Sequence, residues 1–150
     1  MSTLRIGICG WGNVATGLYK IANKNIESIK KQGNLDIEIV VIGARRDNPN
    51  CKPENVIIER DIFNVVNHDI DVMVELIGGV DVAKDLILKA LKKKKHVVTA
   101  NKAVIYNHGD EIFACAKENG VKVLFESSVC AGTPIIKLLT EELSANKISK

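Results

Sequence analysis

The chain has 150 residues, 46 % of them apolar, and its 21 Lys and Arg residues against 18 Asp and Glu residues give a net charge of +3. A chain of this size buries roughly two thirds of its unfolded surface, so the composition predicts one folded domain and excludes intrinsic disorder. The small net charge and the 4 % aromatic content disfavour nucleic-acid binding, and no apolar segment resembles a membrane span or a signal peptide.

Short apolar runs alternate with stretches of helical periodicity, which is typical of a parallel sheet wrapped by helices. In the first half of the chain, the pattern predicts a strand at 3–9, a helix from 14 to 33, a strand at 37–44, a loop at 45–53, a short strand at 56–58 and a short helix at 62–66. In the second half, it predicts strands at 71–77, 96–99 and 121–125. The second half also contains predicted helices at 82–91, 110–119 and 135–143. We therefore expect an α/β fold of the Rossmann type, with a doubly wound, mostly parallel sheet and helices on both faces.

A glycine-rich turn joins the first strand to the first helix. Gly10, Gly12 and Ala15 fit the pattern GxGxxG/A: the first glycine permits a tight turn, the second lets the backbone approach a pyrophosphate, and the small third residue lets helix and strand pack closely. Asn13 and Val14 belong to the first helical turn, whose free N–H groups suit an anion. These five residues are predicted to bind a dinucleotide, and a purely structural turn is the alternative.

The end of the second strand indicates which dinucleotide is bound. An acidic residue there would hold the ribose hydroxyls of NAD, but the strand is followed by Arg45 and Arg46, whose planar guanidinium groups suit the 2′-phosphate of NADP. Asp36 and Glu38 lie at the opposite end of the strand. The sequence therefore favours NADP. In the alternative, both arginines are solvated and Asp47 turns inward to bind NAD.

Three later segments are more specific than the glycine turn: residues 75–79 (ELIGG), 96–103 (HVVTANKA) and 126–136 (ESSVCAGTPII). With the N-terminal turn, they resemble homoserine dehydrogenase over nearly the whole chain. The resemblance implies NAD(P)-dependent interconversion of L-homoserine and L-aspartate 4-semialdehyde, in threonine, methionine and isoleucine biosynthesis. It also implies a homodimer for the full-length enzyme.

The resemblance adds candidate residues at the cofactor. Gly78 and Thr99 follow or end predicted strands, at the edge where open α/β sheets bind ligands. Lys102 matches a lysine that lies between cofactor and substrate in the family, and it is our catalytic candidate. A solvated lysine at a helix start is the alternative.

The resemblance also implies a sodium site. Its ligands would be the Glu126 carboxylate and the main-chain carbonyls of Val129, Ala131 and Thr133, a set of hard oxygen donors. Glu126 is expected at the end of a buried strand, where an acid needs a partner. A capping or salt-bridged glutamate is the alternative.

The resemblance divides the chain into an NAD(P)-binding domain at 1–132 and the start of a catalytic domain at 133–150. In the family, the lysine that handles the alcohol proton and the acids that hold the substrate's amino group lie further downstream, so we expect this chain to supply the cofactor-binding part only. Two alternatives stay open: a stand-alone NADP-binding module without catalysis, and a related amino-acid dehydrogenase acting on diaminopimelate or aspartate.

The four cysteines of the chain are far apart and form no CxxC pair. This spacing predicts reduced thiols and a cytoplasmic protein without membrane partners. Cys130 lies within the third specific segment, and we expect it to be buried as a small apolar residue.

Overall fold

Six parallel strands form one sheet in the computed structural model, which describes residues 2–142. They are β1 (Ser2–Cys9), β2 (Leu35–Gly43), β3 (Ile57–Glu59), β4 (Val72–Glu75), β5 (His96–Thr99) and β6 (Val123–Leu124). Their order is β3-β2-β1-β4-β5-β6, so the direction of winding reverses between β1 and β4. This is the strand order of a doubly wound dinucleotide-binding sheet, and the predicted fold class is confirmed.

Helices lie between β1 and β2, β3 and β4, β4 and β5, and β5 and β6, a loop connects β2 to β3, and further helical turns follow β6. The helices are α1 (Asn13–Lys24), α2 (Ile26–Gly33), α3 (Asp81–Lys92), α4 (Lys102–Asn119), α5 (Glu126–Val129) and α6 (Ile135–Lys137), with a 3-10 helix at Ile62–Asn67 and a π-helical turn at Leu138–Glu142. No helix within residues 2–142 is both long and apolar enough to cross a membrane.

The two faces of the sheet are covered unequally. On one face, α3, α4 and the 3-10 helix bury Cys9, Val41, Met73 and Val97 in the larger apolar core. On the other face, a smaller core around Ile8 and Ile42 includes α1. Beside α1, side chains of β1, β4, β5 and β6 line an open apolar groove of about 640 Å³. The helices therefore lie on both faces, as predicted, but one face keeps an apolar strip exposed to solvent.

Two helices differ from the sequence prediction. The helix predicted from residue 14 to 33 is divided at Asn25 (φ −107°, ψ 14°), although apolar periodicity continues across the break. The helix predicted at 110–119 begins earlier, at Lys102, and contains a kink at His108 (φ −135°, ψ 16°). Apolar periodicity does not reveal the break at Asn25, because a single non-helical residue leaves the pattern unchanged. It does not reveal the first half of α4 either, because the residues around the kink at His108 are polar.

Two strands are shorter than predicted. β4 ends at Glu75 because the chain then turns toward Gly78 and Gly79, which both have positive φ. β6 ends at Leu124 because Phe125 leaves the extended region (φ −135°, ψ 25°) and α5 follows directly. The last predicted helix is observed as α6 and the π-helical turn, and its predicted final residue lies outside the described part of the chain.

Candidate functional site

A cleft of about 700 Å³ opens at the carboxyl ends of β1, β2 and β4. Five residues that the sequence singled out line it together: Gly10, Gly12, Arg45, Arg46 and Gly78. The cleft lies where the strand order reverses, which is the place where open α/β sheets bind ligands. Residues up to 68 positions apart in sequence thus meet at one concave surface.

The floor of the cleft is the turn after β1. Gly10 has φ +103°, and a Cβ atom there would lie 2.6 Å from the carbonyl oxygen of Leu76, so only glycine fits. The Gly10 amide donates to the Gly43 carbonyl (2.9 Å), and the Leu76 amide donates to the Cys9 carbonyl (2.8 Å). This turn therefore joins the ends of the three strands that form the cleft.

The amino end of α1 faces this turn. Gly12 precedes the helix, has negative φ, and a Cβ atom there would meet nothing within 4 Å, so the space around its backbone is open. No side chain caps α1, and Asn13 and Val14 are exposed. Ala15 is buried in the small core. The first-turn amides are thus available to an anion, with the positive end of the helix dipole behind them.

Arg45 and Arg46 form the positive end of the cleft. Both are exposed, and neither guanidinium group makes a hydrogen bond or an ion pair within residues 2–142. Asp47, the acid that would serve NAD, instead accepts a hydrogen bond from Arg60 Nη2 (2.7 Å), while Arg60 Nη1 donates to the Ala44 carbonyl (3.1 Å). β2 is therefore followed by two arginines without a partner in residues 2–142 and by an aspartate that is paired with Arg60.

Trp11 anchors the loop that carries these arginines, a role that sequence reasoning missed. Its Nε1 donates to the Cys51 carbonyl (3.1 Å), and Asn48 Nδ2 donates to the Trp11 carbonyl (3.3 Å). Its ring meets the Tyr19 ring edge to face, with centroids 5.5 Å apart. The presence of the only tryptophan of the chain inside the glycine pattern was the available signal.

A buried hydrogen-bond network connects β4 to β5 at the same edge of the sheet. Glu75 is fully buried (0 % exposed). Thr99 Oγ1 donates to Glu75 Oε2 (2.5 Å), the Ile77 amide donates to Glu75 Oε1 (2.9 Å), and the Asn101 amide donates to Thr99 Oγ1 (3.0 Å). Burial, and to a smaller extent the Glu75 charge, raises the pKa of the neighbouring Cys9 thiol to about 12, so Cys9 remains protonated.

The network continues to the start of α4. The Asn101 side chain accepts a hydrogen bond from the Val104 amide (3.1 Å), which caps the helix, and donates to the Gly79 carbonyl (2.7 Å). Lys102 is the exposed first residue of this helix. Ser128 Oγ donates to the Thr99 carbonyl (2.8 Å) and so ties α5 to the same point. Thr99, Lys102 and the Gly78 turn are thus held at one edge by Glu75, Asn101 and Ser128, which lie in the three specific segments but were given no role there.

The expectation for Glu126 is wrong in two respects. Glu126 begins α5 instead of ending a strand, and it is half-buried instead of buried. Its Oε2 accepts the Ile136 amide (3.0 Å) and its Oε1 accepts the Lys137 amide (2.6 Å), so the carboxylate binds the first turn of α6. The reason is that the chain leaves the sheet one residue earlier, at Phe125.

The other residues of this segment lie in the turn between α5 and α6. The Thr133 carbonyl accepts a hydrogen bond from the Ile135 amide (2.8 Å). Cys130 is exposed, so its expected burial is also wrong, whereas Cys9, Cys51 and Cys115 are buried free thiols. Within residues 2–142, no cluster of three or more His, Cys, Asp or Glu side chains could hold a metal ion.

Comparison with known proteins gives consistent matches. Residues 10–126 match the family described as "Homoserine dehydrogenase, NAD binding domain". Over 99 % of its length the chain is 49 % identical to a homoserine dehydrogenase of Pseudomonas aeruginosa, of which it covers 35 %. It superposes on 34 % of a homoserine dehydrogenase structure from Thiobacillus denitrificans with a TM-score of 0.90, at 38 % identity and 97 % coverage of the chain.

A third similar protein was solved with a ligand. It is a hyperthermophilic archaeal homoserine dehydrogenase in complex with NADPH, which the chain matches at 26 % identity with a TM-score of 0.74, over 91 % of the chain and 48 % of that protein. The chain spans about a third of the length of the bacterial relatives.

Proposed function

The chain belongs to the homoserine dehydrogenase family, and from that premise we propose that its cleft binds NADP, as the cofactor-binding part of an enzyme that interconverts L-homoserine and L-aspartate 4-semialdehyde. The observation that carries the proposal is the cleft itself: the glycine turn, whose Gly12 directly precedes α1, and two free arginines line one cavity. An anionic dinucleotide matches this arrangement of amides and cations.

The residues of the cleft have distinct tasks in this proposal. The first-turn amides of α1 receive the pyrophosphate, which approaches over the open backbone of Gly12. The adenosine half extends over the β1–β3 side of the sheet and the nicotinamide half over the β4–β6 side, because each half of a doubly wound sheet receives one mononucleotide. Gly78 and Thr99 then lie on the nicotinamide side.

The preference for NADP follows from the charges after β2. Arg45 and Arg46 are free to form charge-assisted hydrogen bonds with a 2′-phosphate, while the Asp47 carboxylate is already bound by Arg60. This exposed ion pair offsets the charge of Asp47 but leaves it other lone pairs, so the proposed preference depends on the two arginines. The NADPH complex of the archaeal relative gives further support.

The nicotinamide of the bound cofactor would supply or accept the hydride. Within this chain, we propose that Lys102 is the catalytic residue that carries positive charge to the junction of cofactor and substrate, since it is exposed at the start of a helix held beside the Gly79 carbonyl. Its ammonium group suits the carboxylate of an amino-acid substrate. The lysine that handles the alcohol proton and the acids that bind the amino group would come from the downstream domain.

We also propose a sodium site at Glu126 and the carbonyls of Val129, Ala131 and Thr133. All the donors are oxygens, as a hard cation requires. The Glu126 oxygens each accept one amide in the structure, and a carboxylate has about four lone-pair positions, so two remain for a cation.

The sodium site is tested by thermal unfolding in NaCl and KCl at equal ionic strength. A sodium-specific rise of the unfolding midpoint that disappears in Glu126→Ala supports the site. If Glu126→Ala lowers the midpoint equally in both salts and the wild type shows no sodium-specific rise, Glu126 is a helix cap only.

The same proposal includes the cellular location, the pathway and the oligomeric state of the whole enzyme. Four free thiols, three of them buried, suit the reducing environment of the cytoplasm. Membership of the family implies biosynthesis of threonine, methionine and isoleucine and a homodimer of the full-length enzyme. The division of the chain at residue 132, with the catalytic domain beginning at 133, also stays a proposal.

Binding and activity measurements together test the proposed function. We expect the chain to bind NADPH more tightly than NADH in a titration that follows nicotinamide fluorescence, and to oxidise homoserine only when joined to the catalytic domain of a relative. NADPH binding without any activity in such a chimera would favour a stand-alone module. Activity on diaminopimelate or aspartate instead of homoserine would favour a related dehydrogenase. Absence of nucleotide binding would contradict the proposal.

A further inference from the structure

Glu75 is a buried acid to which neither the sequence analysis nor the proposed function assigns a role. We infer that Glu75 is a positioning residue for the nicotinamide half of the cofactor, because its carboxylate fixes the loop after β4 to the end of β5 and to the start of the helix that bears Lys102. This inference rests on the proposed function and deepens it. It predicts that a substitution at Glu75 lowers the affinity for the nicotinamide half of the dinucleotide and leaves the affinity for the adenosine half unchanged.

The first step of the argument is the number of donors around the carboxylate. The Ile77 amide and the Thr99 hydroxyl each point a proton at a different oxygen of Glu75, at 2.9 and 2.5 Å. Within residues 2–142 the Thr99 hydroxyl donates to Glu75 Oε2, and the Thr99 oxygen itself accepts the Asn101 amide (3.0 Å). The site therefore requires two acceptor atoms on one short side chain, which a carboxylate provides.

The second step is the cost of this arrangement. Glu75 is fully buried and makes no ion pair with a Lys, Arg or His within the described residues 2–142. A buried carboxylate without a cation is unfavourable unless its hydrogen bonds matter to the folded state. Cys9, its neighbour on β1, stays protonated and so adds no second negative charge beside Glu75.

The third step is what the carboxylate holds in place. The Ile77 bond fixes the strand end just before Gly78, which lines the cleft. The Thr99 bond fixes the turn whose next polar residue, Asn101, caps α4 and binds the Gly79 carbonyl. Through one side chain, the loop after β4, which lines the cleft, is thus connected to the end of β5 and to the start of α4. This side of the cleft is the one proposed to receive the nicotinamide.

A glutamine cannot replace Glu75 in this network, although it has the same shape. If its Nε2 faces the Ile77 amide, two donors oppose each other. If its Nε2 faces Thr99, the hydroxyl proton loses its acceptor, because an amide NH2 group only donates hydrogen bonds. Glu75→Gln therefore tests the polarity of the site without removing its volume.

The test compares NADPH with adenosine 2′,5′-bisphosphate, which has the 2′-phosphate but no nicotinamide, by calorimetric titration of the chain. We expect Glu75→Gln to weaken NADPH binding about tenfold, as the loss of a buried hydrogen bond does. Binding of adenosine 2′,5′-bisphosphate should stay within about twofold of the wild type. Thr99→Val, which removes the shared hydroxyl, should give the same pattern and serves if Glu75→Gln does not fold.

Leu86→Ala is the matched control for loss of stability. Leu86 is fully buried in α3 and belongs to the large apolar core, outside the network. Its variant should unfold at a lower temperature with an unchanged ratio of the two affinities. If Glu75→Gln and Thr99→Val also leave this ratio unchanged, the positioning role is overturned and the network is structural only. If the wild-type chain binds neither ligand, the proposed function fails and this inference fails with it.

Discussion

The two ends of the cleft are built in opposite ways. After β2, Arg45 and Arg46 are exposed cations without protein partners in the described residues, whereas after β4 and β5 the Glu75 network is buried and fully hydrogen-bonded. The first arrangement recognises a charge, which requires only that the cations be free. The second holds backbone segments at a set distance, which requires a rigid contact. Substitutions at the first end should therefore alter which ligand binds, and substitutions at the second should also alter the folded chain.

The largest effect is expected at the turn that both ends share. Gly10→Ala places a Cβ atom 2.6 Å from the Leu76 carbonyl at φ +103°, so the free energy of unfolding should fall by about 3 kcal/mol. Gly12→Ala meets nothing within 4 Å and should unfold like the wild type while losing NADPH affinity. Urea unfolding and fluorescence titration of both variants check this. Equal stability of the two variants would contradict the geometry.

The next effect separates the two ends by stability. Glu75→Ala leaves the Ile77 amide and the Thr99 hydroxyl without their acceptor, so we expect a loss of about 2 to 3 kcal/mol in the free energy of unfolding. Arg46→Ala removes an exposed side chain and should change it by less than about 0.5 kcal/mol. Urea unfolding of both variants measures the difference. If both variants lost a comparable free energy of unfolding, the two ends of the cleft would not differ in their contribution to stability.

The smallest effect is chemical and leaves the fold intact. Because its pKa is raised to about 12, Cys9 should remain a thiol at pH 8 and resist alkylation by iodoacetamide. Cys130 is exposed and should react first. Mass spectrometry of the partly labelled chain gives the order. Early modification of Cys9 would mean that the buried end of the cleft opens in solution.

The same contrast explains how much the sequence could predict. The fold class, the glycine turn and the two arginines follow from local patterns, because alternation, GxGxxG/A and charge after a strand are all properties of neighbouring residues. The sequence therefore located the arginines of the exposed end, but not the Trp11 contacts that anchor their loop. Family resemblance indicated three residues near the Glu75 network, the buried Thr99 and the exposed Gly78 and Lys102.

The rest depends on contacts between distant residues. Glu75 and Thr99 are 24 positions apart, and Ser128 reaches Thr99 across 29 positions, so no local pattern connects them. Glu126 was placed at the end of a strand because the apolar run 121–125 does not reveal that Phe125 turns away from the sheet. Asn101, a favourable capping residue directly before Lys102, was the one local signal that could have located the start of α4.

The central claim is that the free arginines after β2 select NADP. The most direct measurement is the ratio of NADPH to NADH affinity in the wild type and in Arg45→Ala, from titrations that follow nicotinamide fluorescence. Loss of a charge-assisted hydrogen bond to the 2′-phosphate should weaken NADPH binding by about tenfold or more and leave NADH binding within about twofold. Equal losses for the two cofactors would contradict the claim.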